Sequence, residues 1–258
     1  MQEFFRNGKL LKQCNTTNLA LIPNVQHPSN ASEFKPISCC NVVYKCISKL
    51  LSSRLEEVLP ELISESSWAF IKGRELLFNV FVCQEVARGY ERKNIAPRCM
   101  MKIDLKKAYD SIHWDFIQEL LMNLKFPQEF IKSVMACITT TSFSINLNSC
   151  SAGHFKGGIG LRQGDPLSPL LFVLSMEYLS RLLHQKSKID GFGFHPNCRQ
   201  LKVVHLMFVD NLILFCKAEK KSVESLMQAF HKFSQCSGLE ANYTKSDVVM
   251  GGCGERTR

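Results

Sequence analysis

Between His205 and Phe215 the chain reads HLMFVDNLILF, two apolar runs split by the polar pair Asp210-Asn211. Leu206, Met207 and Phe208 lead in, and Leu212, Ile213, Leu214 and Phe215 lead out, which predicts a β-hairpin with an acidic tip. A second strand-like run, CMMKIDL from Cys99 to Leu105, also brings an aspartate, Asp104, to its end. Leu19 to Pro23 and Phe143 to Leu147 read as further strands, with the glycine-rich Phe155 to Gly160 as partner of the latter, and Val248 opens a last short one. Helical periodicity begins at Asn41, a capping residue: Val42, Val43, Ile47, Leu50, Leu51, Leu55, Val58 and Leu59 recur with a period near 3.6 until Pro60 interrupts. Glu75 to Arg92, Trp114 to Leu124, Pro127 to about Ile138, Leu170 to Leu183 and Ser222 to Phe233 repeat that pattern, and Gly238 closes the last of them. Gln26 to Glu33 is a polar loop, and no internal repeat or long low-complexity linker interrupts the chain.

This is an α+β pattern, and 258 residues with 45% hydrophobic content suffice for one large domain or two small ones. Lys and Arg number 32 against 23 Asp and Glu, so the formal charge is +9. That surplus favours a polyanionic partner such as nucleic acid, although surplus charge also keeps proteins soluble. The twelve cysteines are spread through apolar segments without a C-x2-C pair, which reads as buried reduced thiols rather than a disulfide framework or a zinc site. The amino terminus, MQEFFRNGKLLKQ, has no long apolar core behind a basic start, and no stretch reaches the roughly 18 apolar residues of a membrane span. An intracellular setting without membrane contact is expected, which makes the N-x-S/T triplets at Asn15, Asn30 and Asn242 chance matches.

Three places carry candidate chemistry. Carboxylates at neighbouring strand ends, Asp104 and Asp210, can hold a divalent metal, while an ordinary turn accounts for the Asp210-Asn211 pair equally well. Lys72 and Arg74 flank a glycine that permits a close turn, so both side chains can approach a triphosphate. GLRQGDPLSP, Gly160 to Pro169, is either a structural turn or a shaped polar loop whose donors, Arg162 among them, reach phosphate or base edges. Lys45, Lys49 and Arg54 share the polar side of the first long helix, a solvated face or one that touches a nucleic-acid strand.

Four blocks stand in a fixed order: FKPISCCNVVYKCISKLLSSRL (Phe34 to Leu55), KIDLKKAYDSIHWDF (Lys102 to Phe116), GLRQGDPLSPLLFVL (Gly160 to Leu174) and FVDNLILF (Phe208 to Phe215). Together they resemble the reverse transcriptase of non-long-terminal-repeat retrotransposons, the LINE-like elements common in plant genomes. The likeness runs from about Phe4 to Gly251, and group II intron maturases, which share the polymerase blocks, are the nearest alternative. The resemblance implies an α+β right-hand polymerase with fingers and palm, an antiparallel palm sheet with helices packed behind it, and no thumb. The expected division is an N-terminal extension at 1–33, fingers at 34–98, palm at 99–251 with an interleaved fingers segment at about 125–160, and a disordered tail at 252–258.

The same resemblance implies RNA-directed DNA synthesis with two Mg2+ ions, Mn2+ as a substitute, an RNA template, a DNA primer, dNTPs and a nuclear location. It makes Asp104, Asp210 and the carbonyl of Leu105 the metal ligands, and sets Tyr109 beneath the incoming sugar, where it excludes a 2′-hydroxyl. Lys72 and Arg74 would grip the triphosphate, Gln163 would touch the incoming nucleotide, and Lys245 would protonate the leaving pyrophosphate. The chain departs from the family where Val209-Asp210-Asn211 replaces a usual Ala-Asp-Asp, so that Asn211 is an amide in a carboxylate's place. Asn24, Ser66-Ser67-Trp68 and Phe78 also replace a usual Lys, Asn-Gln-Ser and Asp. Two readings follow: a reverse transcriptase domain of low or no activity, and a nucleic-acid-binding remnant that keeps the basic cleft without the chemistry.

Overall fold

The computed structural model describes residues 1–64, 73, 76–90, 92, 95–147, 150–208 and 211–252. Its elements in chain order are α1 (Gln2–Asn7), β1 (Thr16–Pro23), β2 (Phe34–Cys39), α2 (Val42–Leu62), α3 (Leu76–Ala87), β3 (Arg98–Asp104), α4 (Ala108–Ser111) and α5 (Trp114–Asn123). They continue with α6 (Gln128–Thr139), β4 (Ser142–Leu147), β5 (Cys150–Lys156), α7 (Ser168–Ser187), β6 (His205–Phe208), β7 (Asn211–Cys216), α8 (Lys220–Ser237) and β8 (Asp247–Gly251). The chain forms two compact units, Met1–Val58 with Tyr109–Phe172 and Leu59–Ala108 with Val173–Arg258.

The first unit is built on a four-stranded sheet in the order β2-β1-β4-β5. β1 pairs antiparallel with β2 and parallel with β4, so the strand expected at Leu19 to Pro23 is an inner strand of this sheet. β2 escapes a pattern reading because Pro36 lacks a ladder donor, and a proline is tolerated where it lies, on an edge strand. The partner of β4 is β5, Cys150–Lys156, which lies earlier in the chain than the expected Phe155 to Gly160, and the pairing slips by a bulge between Phe143 and Ile145. The glycines after β5, Gly157, Gly158 and Gly160, lie outside any strand.

Helix α2 starts where Asn41 Oδ1 accepts from the Val43 amide at 2.8 Å. It buries Tyr44, Ile47, Ser48, Leu51, Ser52, Leu55 and Leu59, while Val42, Val43, Leu50 and Val58 are exposed. The buried stripe is therefore narrower than the apolar count suggests and includes two serines. Pro60 lies inside the last turn rather than ending the helix, because the carbonyl it leaves without a donor belongs to the exposed Glu56, where water can serve.

In the second unit the sheet order is β6-β7-β3-β8, antiparallel throughout. Cross-strand partners Cys99↔Cys216, Met101↔Leu214 and Ile103↔Leu212 share one face, and all six side chains are buried. The opposite face is divided. At one end Met100, Leu206, Ile213 and Phe215 pack with Val82, Cys83 and Val86 of α3 and with Cys198. Toward the other end the same face carries Lys102, Asp104 and Asn211. Helix α8 packs against β7, ends at Gly238 in the left-handed conformation, and sets Phe233 against Tyr178 of α7. Arg98, at the start of β3 and 1% exposed, donates to the carbonyls of Gly89, Arg92, Ile95 and Ala96 and lies over the Tyr90 ring, so it fastens the loop that precedes the strand.

Candidate active site

The β6–β7 pairing ends at Phe208↔Asn211; Val209 and Asp210, between them in the chain, lie outside the described residues. Asn211 is thus the first residue of β7 rather than part of the tip, so the strand begins one position earlier than the apolar pattern suggests. On its other side the β3–β7 register sets it directly opposite Asp104. Side chains of direct antiparallel partners project from one face with Cβ atoms about 4.5–5.5 Å apart. The Asp104 carboxylate and the Asn211 amide therefore stand side by side.

Asp104 is held by Asn242 and Ser246, which sequence reasoning did not single out as site residues. Its carbonyl accepts from the Asn242 amide at 2.7 Å, its Oδ2 accepts from Asn242 Nδ2 at 3.3 Å, and its own amide donates to Ser246 Oγ at 3.1 Å. Ser246 Oγ in turn donates to the Asn242 carbonyl at 2.8 Å. Leu105 forms a bridge with Ala241, closed by the bonds of the flanking residues (Lys106 amide to Glu240, Asn242 amide to Asp104) rather than by its own carbonyl. Exposed Lys245 donates its amide to the Asn242 carbonyl in the same turn, so this segment brings it within three residues of the carboxylate's clasp. The atoms that could ligate a metal here, the Asp104 carboxylate and the Leu105 carbonyl, are oxygens, the kind that hard divalent cations take.

The first unit carries Tyr109 and Gln163. The Tyr109 ring stacks on Phe172, 5.0 Å between centroids, and its carbonyl accepts from the Leu161 amide at 2.6 Å. Next to it Gly160 donates to the Ile112 carbonyl at 2.8 Å and accepts from Trp114 Nε1 at 2.7 Å. A Cβ on Gly160, whose φ is +87°, would lie 2.7 Å from the Asp110 carbonyl oxygen, so only glycine lets the two backbones approach. The Gln163 carbonyl accepts from the Ser38 amide at 2.9 Å, and its Nε2 donates to Asp110 Oδ1 at 3.4 Å. These contacts seat the GLRQGDP loop against β2 and the start of α4.

Arg162 is turned inward rather than presented on a surface. It is 6% exposed, and its guanidinium donates to Asn15 Oδ1, Thr17 Oγ1 and the Cys137 carbonyl, lies 3.8 Å from the Tyr44 ring centre, and pairs with Asp165 at 3.6 Å. Asp165 also accepts from Tyr44 Oη at 2.5 Å and from Ser48 Oγ. Burial, with the Asp165 charge second, pushes the Tyr44 phenol well above its ordinary range, so it stays a donor. The loop's charged residues are thus internal struts, and the sequence signal was the Tyr44/Ser48 pair on the buried stripe of α2. Lys72 and Arg74 lie outside the described residues, whereas Gly73 between them has φ +83° and open space at its Cβ position, a left-handed turn as expected. Lys45, Lys49 and Arg54 are exposed as expected; Lys49 pairs with Glu56 at 3.3 Å and Arg54 lies over the Phe5 ring.

Residues 22–256 match the profile of the family described as reverse transcriptase (RNA-dependent DNA polymerase). The chain belongs to this family. Among similar proteins are the 149 kDa protein of transposon TX1 from Xenopus laevis, 23% identical over 98% of this chain and 19% of its own length, and the Pol polyprotein of retrotransposable element R2DM from Drosophila melanogaster, 25% identical over 94% and 22%. It is therefore a reverse transcriptase domain of the non-long-terminal-repeat retrotransposon type, and it spans about a fifth of the length of these relatives. Telomerase from Candida tropicalis, solved with a fragment of telomeric RNA, superposes with a TM-score of 0.64 at 14% identity over 95% of this chain and 42% of that one. Telomerase from Candida albicans gives 0.60 at 13%, over 96% of this chain and 44% of that one. The shared fold is the fingers and palm of a right-hand polymerase. Reverse transcriptases generally use divalent metal ions, and among the described residues no group of three or more His, Cys, Asp or Glu is placed to hold one. Nor, among those residues, is any helix long and apolar enough to cross a membrane.

Proposed function

We propose that this domain copies RNA into DNA within a longer retroelement protein, and that the copy works weakly because Asn211 stands where a carboxylate is needed. The observation that carries this is the register of β3 and β7, which aligns Asp104 with Asn211 on one sheet face while Asn242 and Ser246 fix the Asp104 backbone and carboxylate. In this reading the β6-β7-β3-β8 sheet is the palm and the β2-β1-β4-β5 sheet belongs to the fingers. The oxygen donors fit Mg2+ or Mn2+ in kind, and Asp104, the Leu105 carbonyl and Asp210 would be the residues that hold two such ions. Bound there, these ions would supply charge to draw the proton from a primer 3′-hydroxyl and to stabilise departing pyrophosphate. Tyr109, backed by Phe172, would press against the sugar of a dNTP, Lys72 and Arg74 would grip its phosphates, and Lys245 would give a proton to the leaving group. Rigid placement of these groups matters because phosphoryl transfer is catalysed mainly by positioning and charge.

The second reading, a binding protein without chemistry, is favoured by the same amide at position 211 and by the net charge of +9. Primer extension on a primed RNA template, run with Mg2+ and with Mn2+ beside RNA binding at graded salt, separates the two. The polymerase reading expects slow incorporation that Mn2+ enhances and Asp104→Asn abolishes. Binding should weaken with salt at about 0.7–0.9 log units per log unit for each phosphate contact. No incorporation with either metal, with binding intact, leaves the remnant; a salt-independent affinity removes both.

A further inference from the structure

Within the first unit a cavity of about 170 Å³ opens beside Gln163, and the reading of that residue as a nucleotide contact does not account for its lining. The volume exceeds the roughly 10–15 Å³ that one water requires and falls short of the roughly 300 Å³ of a drug-sized pocket. Its walls include Trp114, Phe143 and Phe155. Phe143 and Phe155 lie 5.6 Å apart at 32°, and a Cβ on Gly157 would meet Phe143 and Trp114 at 3.2 and 3.3 Å, so the bare backbone there lets the Phe143 and Trp114 rings close on it. Phe155 and Ile159 are 47% and 55% exposed, whereas Leu161, also in the lining, is 4% exposed. The cavity thus runs from solvent inward.

Its polar equipment is specific. Gln163 Oε1 is buried without a hydrogen-bond partner. Turning the amide over would set its oxygen against the Asp110 carboxylate that now accepts from Nε2, so this orientation is the favoured one. A buried acceptor left alone calls for a donor, which water or a ligand in the cavity can supply. Charge narrows the choice: the lining contains the Asp110 carboxylate, and its cation, Arg162, is committed to Asn15, Thr17, Cys137 and Asp165. A phosphate would be repelled here. A flat ring with an N–H donor would be held between aromatic faces and the amide oxygen.

We infer that this cavity takes one unstacked base of a single-stranded RNA that the domain holds. The inference rests on the domain being an RNA-binding reverse transcriptase, but on none of its metal chemistry. Base stacking on aromatic side chains is the usual way single strands are held without sequence preference, and Gln163 Oε1 would accept from the exocyclic amine or ring N–H of the seated base.

Trp114 reports directly on occupancy. The chain has two tryptophans, Trp68 and Trp114, so Trp68→Phe leaves Trp114 as sole emitter. In that background a short unstructured RNA should quench Trp114 emission in parallel with its binding by fluorescence anisotropy. Inorganic polyphosphate, which carries charge without bases, should bind and leave the emission unchanged. Phe155→Ala, at a half-exposed position where folding is checked by circular dichroism, should weaken RNA binding about tenfold and remove most of the quench. RNA that binds without quenching, or binds Phe155→Ala as tightly as the parent, overturns the pocket while leaving the nucleic-acid reading in place. Failure of RNA to bind overturns both, and quenching by free dNTP alone reassigns the cavity to an incoming nucleotide.

Discussion

Changing Asn211 to Asp places a second carboxylate directly across from Asp104 in the β3–β7 register. At about 5 Å and an effective dielectric near 20, two unit charges repel by about 3 kcal/mol. Asp104 is half-buried, so water and salt reduce that figure, and roughly 1 kcal/mol of net repulsion is a fair remainder. For a chain of this size that corresponds to a fall in Tm of about 2–4 °C. A divalent cation between the two carboxylates reverses the sign, because each then faces twice the opposite charge. Thermal unfolding in EDTA and in Mg2+, measured for the parent and for Asn211→Asp, tests this without needing turnover. The variant should melt lower in EDTA, recover with Mg2+, and incorporate dNTPs faster on a primed RNA template; adding Asp104→Asn should remove the metal response. Equal melting of parent and variant in EDTA, with an equal response to Mg2+, refutes the assignment of position 211 as a missing ligand. A parent that extends primers as fast as Asn211→Asp refutes it from the side of function.

Arg162→Ala should destabilise the protein by about 3 kcal/mol, the low end for breaking a buried pair because Asp165 keeps its Tyr44 and Ser48 donors, and a shift of less than about 1 kcal/mol in urea unfolding would show the strut to be dispensable. His195 is pushed down to about 4 by burial and then by Arg98, and His205 to about 3 by burial and then by His184. The unfolded chain, with histidines near 6.5, takes up these protons first, so stability is full above about pH 6.5 and falls as pH drops toward 5, by up to about 2 kcal/mol per histidine. A flat urea midpoint across that window would contradict the burial of both rings. In any version that extends primers, Tyr109→Val should lower discrimination against ribonucleotides, read as the ratio of kcat/KM for dNTP and NTP; an unchanged ratio would place the sugar elsewhere.

The strands of the second unit are largely legible because their side chains alternate or run apolar in short blocks bounded by polar residues, as at Cys99 to Asp104 and Leu212 to Cys216. Pairing is less legible. Nothing local says that Asn211 belongs to β7 rather than to the turn; that follows from the ladder Phe208↔Asn211↔Asp104. Charge misleads at Arg162, which composition assigns to a binding surface and which the fold spends inside on Asn15, Thr17 and Asp165, partners up to 147 positions away. Proline misleads twice, hiding β2 at Pro36 and cutting α2 short at Pro60, because edge strands and final helical turns do not require the donor that proline lacks. Asn242 and Ser246 were invisible as site residues, since their role exists only through the bonds they make to Asp104, 138 and 142 positions earlier.

The two-residue connection between β6 and β7 makes mutations of different kinds unequal in their effects. A base change that exchanges Asp for Asn at position 211 alters charge and leaves every backbone pair of the ladder available. A one-codon insertion or deletion would rotate β7 by one residue, turning Leu212 and Leu214 off the buried face and carrying Ile213 onto it. Point substitution therefore erodes the chemistry of such a domain while sparing its shape, and length change destroys the shape at once. If the domain binds RNA as proposed, a lineage that decays by substitution would leave behind folded, basic proteins that compete with active siblings for the same RNA.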